Sequence, residues 1–117
     1  MSGAAALSKF GQYIEAYNQH DIDCVLSFLA DDIQVFVNDD LAAEGAEALR
    51  PSYVSDFDEK KKVTVVKDPS IVNEDEVSAT VAVTLNTGKV QLDVLYVFRL
   101  PDLKQVKHKL SNIVNLD

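Results

Sequence analysis

The sequence predicts an α+β fold in which helices pack on one face of an antiparallel sheet. Three observations carry this. Leu7, Phe10, Ile14 and Tyr17 recur at spacings of three and four, which marks one face of an amphipathic helix. From Lys61 onward the pattern switches to period two, as in Val77, Ala79, Val81, Val83 and Leu85, which reads as half-buried strand. The chain has 117 residues, 47% apolar and 26% charged, enough for one domain with a core that needs no staples.

The first helix is expected over roughly 5–19. His20-Asp21 breaks it, and Asp21 is a good N-cap for a second helix with Asp23 in its first turn. That helix would bury Ile22, Val25, Leu26 and Leu29 and end near Asp31, so the helical opening covers about 5–31. Ile33, Val35 and Val37 alternate with Gln34, Phe36 and Asn38 as a strand. Asn38-Asp39-Asp40 is a turn, Leu41 to Glu44 a short return strand, and the first part of the sheet spans about 33–44. Ala46, Leu49, Tyr53 and Phe57 predict a third helix over 46–59, either kinked at Pro51 or starting there. Lys60-Lys61-Lys62 would suit its C-terminus.

The rest of the sheet is expected over 61–115. Val63 and Val65 open a strand that Asp68-Pro69 interrupts, placing Pro69 at an edge or bulge. In the next strand Ser78, Thr80 and Thr84 oppose the apolar face, and Asn86-Thr87-Gly88-Lys89 forms a hairpin turn. Val90, Leu92, Val94, Tyr96, Phe98 and Leu100 would line the inner face of a long strand, leaving Gln91, Asp93, Leu95, Val97 and Arg99 outside. After a turn at Pro101-Asp102, parity puts Val106, His108, Leu110, Asn112 and Val114 on the inner face. Leu95 and Val97 would be wasted on solvent, so a covered outer face and a homodimer are expected.

Composition excludes several functions. Eleven Lys and Arg against nineteen Asp and Glu give a formal charge of −8, unsuited to nucleic acid or anionic membrane. No apolar run is long enough for a membrane span, and the N-terminus has no basic signal region. The single cysteine, Cys24, permits no intrachain disulfide, makes a reducing cytoplasmic location the default and reads as a small core residue. His20 reads as a cap at the helix boundary. Two histidines and one cysteine far apart give no zinc spacing, and the acidic pairs Asp31-Asp32 and Asp39-Asp40 lack a calcium loop. No glycine-rich phosphate cradle is present, so no metal or cofactor is expected.

The stretches Tyr13-Ile14-Glu15-Ala16-Tyr17-Asn18, His20-Asp21-Ile22-Asp23 and Phe28-Leu29-Ala30-Asp31-Asp32-Ile33 resemble the opening of the nuclear transport factor 2-like superfamily. Glu44-Gly45-Ala46-Glu47-Ala48-Leu49-Arg50 with Tyr53 fits its third helix. Phe98-Arg99-Leu100-Pro101-Asp102-Leu103-Lys104 with Val106-Lys107-His108 is similar to its closing phrase. SnoaL-like polyketide cyclases and ketosteroid isomerases belong to this superfamily. The resemblance implies a cone, a strongly bent sheet wrapped around three helices with an apolar pocket at the open end. It also implies a homodimer through the outer sheet face.

Ketosteroid isomerases hold an oxyanion with a first-helix tyrosine and a late-strand aspartic acid, while a strand carboxylate moves the proton. By resemblance Tyr13 falls on that tyrosine, but the base falls on Val37 and the late aspartic acid on Tyr96, which argues against steroid isomerisation. A different set remains. Tyr13, Tyr96 and His108 are the candidate catalytic residues, because phenols can donate to an enolate oxygen and a histidine can shuttle a proton. Tyr17, Val37, Tyr53, Phe57, Phe98 and Asn112 are candidate ligand contacts. This suits isomerisation, cyclisation or dehydration of a small apolar carbonyl compound. The alternative is a non-catalytic dimeric binding or assembly domain with its cone filled by side chains; cavity volume separates the two.

Overall fold

The periodic apolar run forms helix α1 (Ala4–Asn18), which buries Ala6, Phe10, Tyr13, Ala16 and Tyr17. A computed structural model describes residues 4–85, 88–99 and 102–115. After α1 come α2 (Ile22–Ser27), β1 (Leu29–Val37), β2 (Asp40–Glu44) and α3 (Ala46–Asp58). Five strands follow: β3 (Lys62–Val65), β4 (Ser70–Asn73), β5 (Glu76–Leu85), β6 (Gly88–Arg99) and β7 (Lys104–Asn115). The expected turn residues Asn86-Thr87 and Leu100-Pro101 lie outside the described residues.

Two helix ends are closed in the same way. His20 takes φ +58, and the amides of His20 and Asp21 return to the carbonyls of Tyr17 and Ala16 at 2.9 and 3.2 Å. Lys60 takes φ +58, and the amides of Lys60 and Lys61 return to Phe57 and Asp56, both at 3.0 Å. A left-handed residue after the helix lets orphan carbonyls be satisfied, and glycine is its usual occupant. Here histidine and lysine bear the steric cost. The two ends meet: the His20 ring lies 5.1 Å from Phe57, and its Nε2–H donates to the Lys61 carbonyl at 2.8 Å. Beside them, Asn18 Oδ1 accepts from the Val63 amide at 2.7 Å and its Nδ2 donates to the Val63 carbonyl at 2.8 Å. That side chain acts as one rung of a sheet and fixes β3 to α1.

Asp21 caps α2 as expected, accepting from the Cys24 amide. The helix stops at Ser27, however, and Leu29, Ala30 and Ile33 are buried in β1 rather than in a helix reaching Asp31. Pairing overrides local periodicity here: the Gln105 amide donates to the Phe28 carbonyl at 2.8 Å and Leu29 pairs with Gln105. Pro51 sits inside α3, not at its start. It and Glu47, whose carbonyl Pro51 cannot bond, are both exposed residues, where water is at hand to replace a lost helix bond.

The mixed sheet runs in the order β2-β1-β7-β6-β5-β3, with β4 also on β5. Among the described residues only the β1–β7 pairing is parallel. The strongly bent sheet wraps the three helices as a cone. β3 and β4 share one edge of β5, and the Asp68-Pro69 break lies between them. None of the described helices is long and apolar enough to cross a membrane.

Strand β7 departs from strict alternation twice. Val97 pairs with Lys107 but Phe98 pairs with Gln105, which makes Val106 an extra residue. Gln91 pairs with Val114 and Asp93 with Ser111, which leaves two β7 residues opposite Leu92 alone. Asn112, one of the two, has φ +53. Such bulges reverse side-chain parity. The first brings Gln105 and His108 to the same inner face, both buried. The second corrects the expectation for Asn112 and Val114: Asn112 is exposed on the outside, donating to Asp93 Oδ2 at 2.8 Å, and Val114 is half exposed.

The Asn18 clamp gives a direct test. Asn18→Ala leaves the partly buried Val63 amide without its partner and should cost about 1–3 kcal/mol. Urea unfolding should show this as a lower midpoint at unchanged m-value.

Candidate active site

The inner faces of α1, α3 and the concave sheet enclose a cavity of about 370 Å³. Each element contributes by its own period. Tyr13 and Tyr17 stand one turn apart on α1, and Leu49, Tyr53 and Asp56 follow at helical spacing on α3. Leu92, Val94 and Tyr96 alternate along β6, with His108 and Leu110 beside them on β7. Val35 and Val63 complete an apolar wall.

Five expected site residues therefore meet in one place: Tyr13, Tyr17, Tyr53, Tyr96 and His108. Four others do not line the cavity. Val37 lies where β1 runs on toward the β2 hairpin, and Val35 occupies the wall instead. Phe57 packs behind Tyr17 and Tyr53, at 5.2 and 6.1 Å between ring centroids. Phe98 is only 1% exposed and belongs to the closed core. Asn112 is turned outward by its bulge.

The buried polar groups are mostly neutral. The Tyr13 and Tyr53 hydroxyls share a hydrogen bond of 2.7 Å. One of the two donates, so the pair keeps one O–H for a further acceptor. Burial raises both phenols above their ordinary pKa. Tyr96 is raised as well, by desolvation and then by Tyr13. Its hydroxyl has no hydrogen-bond partner among the described residues.

His108 lies against these rings, 4.9 Å from Tyr96 and 5.7 Å from Tyr13 between centroids. Desolvation lowers its pKa from 6.5 to about 4, so the ring is neutral at physiological pH. Its Nε2 is hydrogen-bonded to Gln105 Oε1.

At the cavity wall formed by α3 stands Asp56, which the sequence reading passed over. Its Oδ2 accepts from the Tyr17 hydroxyl at 2.9 Å, and its Oδ1 pairs with Lys61 Nζ at 3.0 Å. The Asp56 side chain is 28% exposed, so it bridges cavity and solvent. Burial, then the Asp56 charge, raises Tyr17, while Asp56 foremost raises Lys61. The missed signal was angular. Position 56 lies about 20° from position 49 on a helix at 3.6 residues per turn, whereas 57 lies about 80° away. Gln105 was missed because the bulge at Val106 leaves no trace in alternation. Among the described residues no three His, Cys, Asp or Glu side chains form a group able to hold a metal.

The arrangement offers neutral donors and one neutral imidazole inside an apolar wall, with charge confined to Asp56 and Lys61. This can polarise a carbonyl and move a proton without a charged resting group beside it.

Comparisons agree with this architecture. The family model described as SnoaL-like domain matches residues 10–108. None of the curated proteins compared matches the chain. An uncharacterised cystatin-fold protein from Novosphingobium aromaticivorans superimposes with TM-score 0.78 at 22% identity, over 94% of this chain and 97% of that one. The epoxide hydrolase/cyclase-like enzyme SalBIII, of pyran ring formation in the polyether salinomycin, gives TM-score 0.79 at 15% identity, over 92% and 90%. An NTF2-like protein of unknown function from Cytophaga hutchinsonii gives 0.74 at 14%, over 90% and 87%.

The histidine supplies a stability prediction. Its folded pKa of about 4 lies below the unfolded 6.5, so the unfolded chain binds the extra proton between these values. The stabilisation is complete above pH 6.5 and lost as pH falls toward 4. At about 1.4 kcal/mol per pH unit the full loss is about 3 kcal/mol. Urea unfolding of His108→Gln against the parent across this range should show a flatter dependence on pH.

Proposed function

The chain belongs to the SnoaL-like domain family, and from that premise we propose that it binds a small apolar carbonyl compound in the cone and catalyses its enolisation, as an isomerase, cyclase or dehydratase would require. The observation that carries this is the unpartnered Tyr96 hydroxyl beside the neutral His108 in a mostly apolar cavity. A carbonyl oxygen accepting from Tyr96 gains negative charge as an enolate forms, and a fixed donor held in place stabilises that charge without the reorganisation water would need. The remaining O–H of the Tyr13–Tyr53 pair is a second donor, and His108 moves the proton. At about 370 Å³ the cavity is at the small end of ligand sites, which suits a small substrate. An open cavity of this size favours the ligand reading over a cone plugged by its own side chains, and the cyclase-like SalBIII shares the fold.

The same reading puts a second copy of the chain on the outer sheet face. Leu95 and Val97 are half-buried there, paired in register with Lys109 and Lys107, and Asp93 lies on the same strand face. Apolar residues between charges of both signs suit a two-fold contact.

The test is hydrogen–deuterium exchange at the α-carbon of small apolar ketones and enones in D₂O, followed by NMR. Accelerated exchange of one compound, with shifts at Tyr96 and His108, supports the reading. Exchange at the buffer rate across the panel, with no shifts, overturns it. Tyr96→Phe should lower the accelerated rate about 100–1,000-fold, the usual cost of one oxyanion donor. For the assembly, Leu95→Glu with Val97→Glu should convert a two-chain mass in light scattering to that of one chain.

A further inference from the structure

We infer that Gln105 is a positioning residue that locks His108 in the Nε2–H tautomer, so that the base of this cavity acts through Nδ1. This rests on the function proposed above for the role of the base, but not for the tautomer itself.

Three observations converge. First, Gln105 and His108 are three residues apart, and a regular strand would send them to opposite faces. The extra residue at Val106 puts both inside. Second, the amide oxygen Oε1 faces His108 Nε2 within hydrogen-bond distance. A carboxamide oxygen only accepts, so this contact is a hydrogen bond in the tautomer that carries its proton on Nε2 and not in the other. Third, Gln105 is fully buried and its Nε2 has no partner, alone among the side-chain polar atoms described that are sealed from solvent. An orphaned buried amide is destabilising and calls for an explanation. A methionine or leucine would fill the same space without that cost. Holding the imidazole is what the amide does there that they cannot.

The other nitrogen is then the working one. His108 Nδ1 has no partner among the described residues, yet it is not among the sealed polar atoms. Neighbours of the ring are the neutral Tyr96 on β6 and Tyr13 on α1, with Val35 beside it in register on β1. Among the described residues no charged side chain forms a hydrogen bond, ion pair or ring contact with it. With Nε2 committed, the resting ring presents a lone pair and not an N–H. It accepts a proton first. Nδ1 takes the α-proton, the C–H electron pair becomes the C=C bond, and the carbonyl π pair moves onto the oxygen held by Tyr96. The imidazolium keeps its Nε2–H on the Gln105 oxygen. Returning the Nδ1 proton to a different carbon completes an isomerisation and restores the neutral ring. A reaction opened by protonating a leaving group through this histidine is not served. The substrate class is therefore a carbonyl compound with an acidifiable α C–H.

The experiment is ¹⁵N-histidine NMR of the whole protein without any ligand, the His108 signals being assigned by their loss in His108→Gln. The expected result is a pyridine-like Nδ1 and a pyrrole-like Nε2 at neutral pH. The reverse tautomer overturns the proposal. Gln105→Met should give a tautomer mixture; an unchanged single tautomer also overturns it. Gln105→Glu keeps an acceptor, so it should restore the Nε2–H form and move the titration upward in pH; a titration that does not move counts against the contact. Should the methionine variant not fold, the parent and glutamate spectra still decide. Because these spectra need no substrate, a failed ketone panel with the expected tautomer rejects the proposed reaction and leaves the lock standing.

Discussion

Strand β7 is the constraint on which the rest of the molecule depends. It alone joins β1, in parallel, to β6, in antiparallel, and so makes one continuous sheet of the early and late strands. A sheet with this order can bend around the helices and give them a concave face. The two irregularities in β7 set what that face displays. The bulge at Val106 turns an amide and an imidazole inward together, and the one at Asn112 ends the inner wall and sends the strand outside. Extra residues in a strand re-aim side chains and increase local bend, which is why they collect beside functional sites.

Charge is distributed with the same economy. The chain carries a formal −8, yet the deep cavity holds phenols and one neutral histidine. The phenols are neutral to begin with and burial raises them further, while desolvation keeps the imidazole uncharged, because it penalises the charged form of each. The one carboxylate on the wall, Asp56, is held by Tyr17 on one oxygen and Lys61 on the other.

Much of the fold was legible in the sequence because periodicity and burial agree. Phe10 and Tyr17 on α1, Val77, Ala79 and Val81 on β5, and Val94, Tyr96 and Phe98 on β6 are buried as their spacing predicts, while Leu7 and Ile14 of the same helical pattern are only partly buried and Tyr13 takes the core position instead. Local pattern failed where pairing or a bulge decided the outcome. Leu29 follows a helical rhythm, but β7 captures the chain there for the sheet. Asn112 and Gln105 exchanged faces against parity for want of any signal of an inserted residue. The site was half legible for the same reason. Side chains on regular elements, such as Tyr53 and Tyr96, could be placed, whereas Phe57 was chosen over Asp56 because an apolar rule does not look for carboxylates on an inner helix face.

The parallel pairing of β1 with β7 also has a kinetic meaning. Val35 waits for His108 to acquire its sheet neighbour, so this pairing spans most of the chain and carries a large loop-closure cost. On a ribosome, helices α1 to α3 and the β1–β2 hairpin emerge first, with one edge of β1 unpaired and the apolar helix faces uncovered. Conversion to a protected state awaits the last strand. Such topologies fold slowly and leave edges exposed to other chains in the interim. The strand that completes the cavity is thus also the strand that covers the open edge of β1.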